Sequence, residues 1–231
     1  MSSLVVATYN IHRCYGADRR FAPERVQQVI RELDADVVAL QEVETRDDGG
    51  LDLLEFLAGA EYRPIAGPTL FRENARYGNA LLTRLPIDEV AHHDLSVPGR
   101  EPRGAIDARL AAESATLRVV ATHFGLSPAE RRQQARRVLA ILDAAAAPIE
   151  ILLGDLNEWF LWGRPLAWLH RVFTETPAPA TYPARLPLLA LDRLWVRPNA
   201  ALRSLKRHAS TAARRASDHL PLRAELDLPA R

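Results

Sequence analysis

Five short clusters combine carboxylate, carboxamide and imidazole side chains: Asn10-Ile11-His12, Gln41-Glu42, Thr122-His123, Gly154-Asp155-Leu156-Asn157 and Ser217-Asp218-His219. That set suits two partners at once, a hard oxygen-seeking cation and a phosphate ester. Mg²⁺ takes one or two carboxylates and completes its shell with water and phosphate oxygens. Glu42 and Asp218 are the candidate carboxylates. Asn10 and Asn157 can orient phosphate or water without adding negative charge, and His219 is suited to take a proton from water near neutral pH. Singly, each cluster has an ordinary reading. Glu42 reads as a solvated carboxylate, His123 as a hydrogen-bonded half-buried histidine, Asp155 as a turn residue capping its own backbone, and Asp218-His219 as a polar loop. Their combination favours chemistry.

The clusters are expected where apolar strands stop, since loops held by a packed sheet are where reactive groups are usually placed. Leu4–Tyr9 reads as a strand, and Val26, Val29, Ile30 and Leu33 repeat at helical spacing behind Pro23. Val37–Leu40 reads as a buried strand, Leu51–Leu57 as a short helix and Ala80–Thr83 as another strand. Ile106, Ala108 and Leu110 alternate with polar neighbours, and Leu117–Thr122 is expected to pair with them in a hairpin. Ser127-Pro128-Ala129-Glu130 starts a helix with a cap, a proline that needs no hydrogen bond and a glutamate reaching back. Ala135, Val138, Leu139 and Leu142 give that helix its apolar face, and Arg131, Arg132, Arg136 and Arg137 its solvated one. Ile149–Leu153 reads as a strand stopped by Gly154, four prolines between 177 and 187 punctuate a loop, and Leu191–Val196 and Leu222–Leu226 supply late strands. With no repeat or linker, one domain over residues 1–231 is expected.

The 231 residues, 48% of them hydrophobic, are enough to bury roughly 70–75% of the unfolded surface without staples. A net charge of +1 excludes a strongly cationic nucleic-acid coat protein and an acidic solvating chain. The single cysteine, Cys14, excludes an intramolecular disulfide and a cysteine-built zinc site. Neither a leader nor an apolar run of ~18 residues is visible, so the expectation is a cytoplasmic protein without a transmembrane segment.

Tyr-Asn-Ile-His, Leu-Gln-Glu-Val, Gly-Asn-Ala-Leu-Leu-Thr-Arg, Thr-His, Gly-Asp-Leu-Asn, Leu-Asp-Arg-Leu and Ser-Asp-His-Leu-Pro follow one another from Ala7 to about Leu226. In that order they resemble the endonuclease/exonuclease/phosphatase superfamily, whose members include DNase I, exonuclease III, sphingomyelinases, inositol polyphosphate 5-phosphatases and poly(A) deadenylases. The resemblance implies an α+β, four-layer DNase I-like fold, with two mostly antiparallel sheets packed face to face and helices outside each. It implies a metal-dependent phosphoesterase using Mg²⁺ or Mn²⁺. Glu42 matches the principal metal carboxylate, Asp218 a second one, and Asn10 the asparagine beside metal and phosphate. Asp155 and Asn157 match the pair that positions the nucleophilic water and scissile phosphate. His219 matches the catalytic histidine, Asp192 the carboxylate that orients it, and His123 a histidine on the phosphate or leaving-group side. Whether His219 acts as base or phosphate ligand stays open.

Other positions carry paired readings. His12 is a substrate contact or a structural residue, Asn79 part of the site floor or a turn residue, and Arg103 a contact to anionic substrate or a solvated arginine. Arg214 and Arg215 widen the attraction for phosphate. Trp159, Phe160, Trp162 and Trp168 form an apolar substrate wall or, by preference, pack in the core. The expected substrate is a small or lipid-type phosphoester, with peripheral lipid contact open and no obligate protein partner indicated. Nucleic acid is the alternative. Abasic-site duplex DNA is disfavoured because Glu44 stands where such enzymes tend to carry lysine. A pseudoenzyme that binds phosphorylated ligands without cleaving them is a further alternative.

Overall fold

The computed structural model describes residues 3–46, 52–72 and 75–228. In chain order its strands are β1 (Ser3–Asn10), β2 (Val37–Arg46), β3 (Arg63–Arg72), β4 (Ala75–Thr83), β5 (Ile87–Asp94), β6 (Gly104–Ala111), β7 (Thr116–His123), β8 (Ile149–Asp155), β9 (Asp192–Arg197), β10 (Leu202–Arg207) and β11 (Leu222–Asp227). Its helices are α1 (Pro23–Leu33), α2 (Leu53–Ala58), α3 (Pro128–Ala144), α4 (Arg164–Leu169) and α5 (Ala213–Ala216). The strands form two sheets, ordered β10-β11-β1-β2-β4-β3 and β5-β6-β7-β8-β9.

Alternation along the strands explains the layering. Leu4 and Val6 of β1, Val37 and Ala39 of β2, Val119 and Ala121 of β7 and Ile151 and Leu153 of β8 face one another in a core between the sheets. The opposite faces are covered by helices. Val26, Val29, Ile30 and Leu33 of α1 pack on the six-stranded sheet, while Val138 and Leu142 of α3 and Leu166 and Leu169 of α4 pack on the five-stranded one. Each such side chain removed fully from water contributes about 1.5–3 kcal/mol. The order is helix, sheet, sheet, helix, as expected.

Each sheet is antiparallel except for one central parallel pair, β1 with β2 and β7 with β8. Parallel neighbours end at the same edge, so Asn10 lies opposite Gln41 and His123 opposite Asp155. The antiparallel partners begin there, with Asp192 opposite Asp155 and Leu222 opposite Thr8. The polar clusters therefore gather at one edge of both sheets.

Several expectations need correction. Gln41-Glu42 does not end a strand, because β2 runs on to Arg46 and shifts register between Leu40 and Val43. Glu42 has a φ of 59° at that bulge, which re-aims its side chain. Gly154 does not stop its strand. It has a φ of +143°, and a Cβ there would lie 1.8 Å from the Thr122 carbonyl oxygen, so only glycine lets β8 continue to Asp155. Ser217-Asp218-His219 follows α5 and precedes β11 instead of closing a strand. The short-helix expectation holds over α2, and Leu51 lies outside the described residues. α3 has its capping box, Ser127 Oγ accepting from the Glu130 amide and Glu130 from the Ser127 amide. Arg131, however, is wholly buried and not part of a solvated face.

Candidate active site

The strand faces that are apolar through the inter-sheet core turn polar at their ends. Asn10 continues the face of Leu4 and Val6, His123 that of Val119 and Ala121, Asp155 that of Ile151 and Leu153, and Asp192 starts the face carried on by Leu194 and Val196. Asn10 bridges the sheets. Its Nδ2 donates to Glu42 Oε1 (3.1 Å) and to Asp155 Oδ2 (3.0 Å), while its Oδ1 accepts from the His12 amide. Ser217 Oγ donates to the Asn10 carbonyl and accepts from the His219 amide, which pins the Asp218-His219 loop to the end of β1.

His219 Nδ1 lies 2.9 Å from Asp192 Oδ2, and its Nε2 lies 3.8 Å from Asp155 Oδ2. Thr181 Oγ1 donates to the same Asp192 oxygen at 2.6 Å. Burial alone would lower the His219 pKa. The Asp192 carboxylate, with Asp155 and Asp218 behind it, outweighs burial and raises it to about 10. The surrounding carboxylates thus favour the protonated ring. Burial raises Asp155, against the opposing influence of His219 and of the Asn10 bond.

His123 is also buried, but neutral. Burial, then Arg103, then His219 hold its pKa well below the ordinary histidine value. Arg103 Nη1 lies 3.2 Å from His123 Nδ1, and the Asn157 side-chain amide nitrogen lies 3.1 Å from its Nε2, with Asp155 Oδ2 at 3.6 Å. Arg103 is neither solvated nor free, since it is buried and paired with Glu101 at 2.9 Å. Asn157, at a φ of 49°, donates its side-chain amide to the Phe124 carbonyl, and its own backbone amide is held by Asp155 Oδ1.

A cleft of about 490 Å³ opens over these groups. Its lining includes Glu42, Asp155, Asn157, Asp218, His123, His219 and Arg103. Asp155, Asp192 and His219 also bring one side-chain oxygen or nitrogen each within 4.8 Å of one another, in a buried acid–imidazole cluster. Among the described residues neither Glu42 nor Asp218 is paired with arginine, and both are half-buried on the cleft wall. Half-buried carboxylates without an arginine partner, beside a carboxamide, are the donor chemistry of a hard divalent ion.

Residues 7–219 match the family model described as Endonuclease/Exonuclease/phosphatase family. The chain belongs to that family. Endonuclease/exonuclease/phosphatase proteins are metal-dependent phosphoesterases, and the four layers above are their DNase I-like fold. The uncharacterized protein YbhP of Escherichia coli K12 is 32% identical, over 98% of this chain and 97% of its own. The crystal structure of an endonuclease/exonuclease/phosphatase from Beutenbergia cavernae superimposes with a TM-score of 0.81 at 24% identity, over 99% of this chain and 72% of that one. D. rerio TDP2 complexed with single strand DNA product gives 0.74 at 17% identity, over 99% and 100%. Among the described residues no helix is long and apolar enough to cross a membrane.

Two site candidates fall elsewhere. Asn79 is buried, donates to the Gly104 carbonyl and faces neighbouring depressions instead of this cleft. His12 directs Nδ1 to the Tyr15 carbonyl, 3.7 Å from Asp218, and its neighbour Arg13 lines the cleft in its place. The preference for core packing of the tryptophan run is also corrected, because Trp159 lines the cleft and Phe160 and Trp162 are exposed. Trp168 alone packs partly against the core. Sequence reading missed Thr181, Tyr182 and Glu158. Tyr182 sets its ring 4.9 Å from that of His219. The only signal for it was an aromatic residue beside threonine within the proline-rich loop before Asp192.

Proposed function

We propose that this protein is a divalent-metal-dependent hydrolase of phosphodiester bonds acting on a small or lipid-type phosphoester. The observation that carries the reading is the Asn10 bridge between Glu42 and Asp155, set beside the His219–Asp192 pair. Glu42 and Asp218, with Asn10, would hold Mg²⁺ or Mn²⁺, whose charge offsets that developing on phosphate oxygens. His219 is a poor ligand for that ion, because both ring nitrogens carry protons in the state its carboxylates favour.

The chain's own groups then have distinct tasks. Asn157 and Asp155 position the attacking water, and the Asp155 carboxylate accepts its proton as the P–O bond to the leaving alcohol breaks and that oxygen takes a proton from solvent. The His219 imidazolium donates from Nε2 to a phosphoryl oxygen, stabilising charge that grows in the transition state. Asp192 fixes the ring and supports its charge, and Thr181 fixes Asp192. Burial and Arg103 keep His123 neutral beside Asn157 and Asp155.

Turnover of bis(p-nitrophenyl) phosphate with Mn²⁺ or Mg²⁺ tests the reading. Excess EDTA should abolish it while the circular dichroism spectrum stays unchanged, since the core is packed without an ion. Activity that persists in EDTA would refute the metal role, and no turnover with any divalent ion would refute the phosphoesterase. Abasic duplex DNA, single-stranded RNA, phosphatidylglycerol, sphingomyelin and inositol phosphates then rank the substrate class. Abasic duplex as best substrate by ~tenfold at physiological salt, where surface charges are screened beyond about 8 Å, would refute the small or lipid-type assignment.

A further inference from the structure

Exposed apolar side chains are concentrated around the cleft. Of the ten large hydrophobic residues exposed among the described residues, all but Phe21 and Phe71 lie on three loops. These loops follow β7, follow β8 and precede β9. Three of the eight, Leu126, Trp159 and Leu189, one from each loop, line the cleft. The others point to solvent, with Trp162 80% exposed, Leu188 70% and Leu186 68%. A patch of this kind, continuous with a polar pocket, marks an interaction site and not chance exposure.

The patch is built. Arg131 donates to the Leu126 carbonyl, lies 4.5 Å from the Trp159 ring centroid and bonds Glu158 through two nitrogens. Glu158 also accepts from the Phe160 amide, and a Cβ on Gly163 would lie 2.7 Å from the Glu158 carboxyl carbon. The rings of Trp159, Phe160 and Trp162 lean on one another at 5.9 and 5.7 Å. A buried ion pair thus holds apolar side chains outward, into water.

Charge and residue type say what covers them. Exposed arginines border both longer loops, Arg164 after Trp162 and Arg185 before Leu186. Tryptophan, leucine and arginine together are the composition that enters the headgroup boundary of an anionic bilayer. Five of the eight patch residues are leucines, which offer no ring for a base to stack on. We infer that the three loops seat the cleft on an anionic lipid surface, so that its phosphoester is reached from the headgroup layer. The second half of this inference rests on the phosphoesterase reading; the first does not.

Co-sedimentation with vesicles of equal parts phosphatidylcholine and phosphatidylglycerol tests it, using wild type and a Trp162→Asp/Leu188→Asp variant. Neither substituted residue lines the cleft. The wild type should pellet with the vesicles, and the variant's partition should fall roughly tenfold or more. Both should hydrolyse bis(p-nitrophenyl) phosphate at the same rate. In the wild type alone, brominated phosphatidylglycerol should quench tryptophan emission. A wild type that stays in the supernatant, equal partition of the two forms, or unquenched emission overturns the inference. So does a single-stranded oligonucleotide, or a second copy of the chain, whose binding is lost in the variant while vesicles are ignored. Failed turnover of the soluble diester strikes the phosphoesterase reading, whereas failed vesicle binding strikes this one.

Discussion

Replacing Arg131 by methionine keeps its apolar stem and deletes its charge. Two bonds to Glu158, at 3.0 and 3.3 Å, would be lost, and with them the bond to the Leu126 carbonyl. Glu158, only 2% exposed, would lose its direct ion pair and keep only the Phe160 amide and the more distant charge of Arg193. Removing one partner of a buried pair costs about 3–5 kcal/mol, far above the ~1 kcal/mol at most expected of a surface pair. For a chain of this size each kcal/mol shifts the melting temperature by ~2–4 °C, so a fall of roughly 6–20 °C is expected. Arg131→Met/Glu158→Gln should recover part of that loss, since no charge is left buried and unpaired. Thermal and urea denaturation of both single variants and the double variant complete the cycle. Turnover of a soluble diester should fall in Arg131→Met even where it is fully folded, because Glu158 adjoins Asn157 in the chain. A single-variant cost below ~1 kcal/mol, or a double variant equal to the sum of the singles, would refute the buried clamp.

His219→Ala should lower the rate by ~10²–10⁴ and Asp192→Asn should also be severe, with the two losses far from additive; a double variant showing the product of the singles would contradict their pairing. A pH effect is expected at Glu32 of α1. Partial burial would raise its carboxyl pKa, but bonds from Ser210 and His208 prevail and hold it below the ordinary glutamate value. A depressed folded value contributes stability that is present above the ordinary glutamate pKa and lost as pH falls through the folded one. Melting curves of wild type and Glu32→Gln should differ near neutral pH by no more than about 1 kcal/mol, given how exposed the pair is, and converge in acid. A gap unchanged at low pH would rule the linkage out.

How far the sequence could be read depended on whether a signal was local. β6 alternates apolar and polar residues, β7 carries a compact apolar run beside it, and the caps of α3 sit within four residues of one another, so all three were legible. β3 was not, because Pro64 and Pro68 resemble loop punctuation. It is an edge strand, where a missing amide hydrogen is tolerated. β10 is the opposite edge, too polar to show an apolar run. In the site, Asn10, Asp155, Asp192 and His219 were found through motifs, and counting every second residue from Val6, Leu153 and Leu194 places the first three on the inter-sheet face. Arg131 misled because helical position suggested solvent, while its partner Glu158 lies 27 residues away. Long-range ion pairs leave no local pattern.

The Asn10 bridge has a consequence for the rest of the molecule. It spans two sheets whose separation is set by other side chains, several of them fully buried alanines such as Ala39, Ala108, Ala121 and Ala224. These act as spacers, and the reactive groups at the edge inherit whatever gauge the spacers fix. Enlarging one such alanine costs about 1–3 kcal/mol in strain. A displacement of only ~1 Å at the edge can cost 10²-fold in rate. Drift in this interior is therefore filtered twice, once for folding and again, more finely, for the gap between Glu42 and Asp155. The tolerance of the chemistry is written into methyl groups that never meet a substrate.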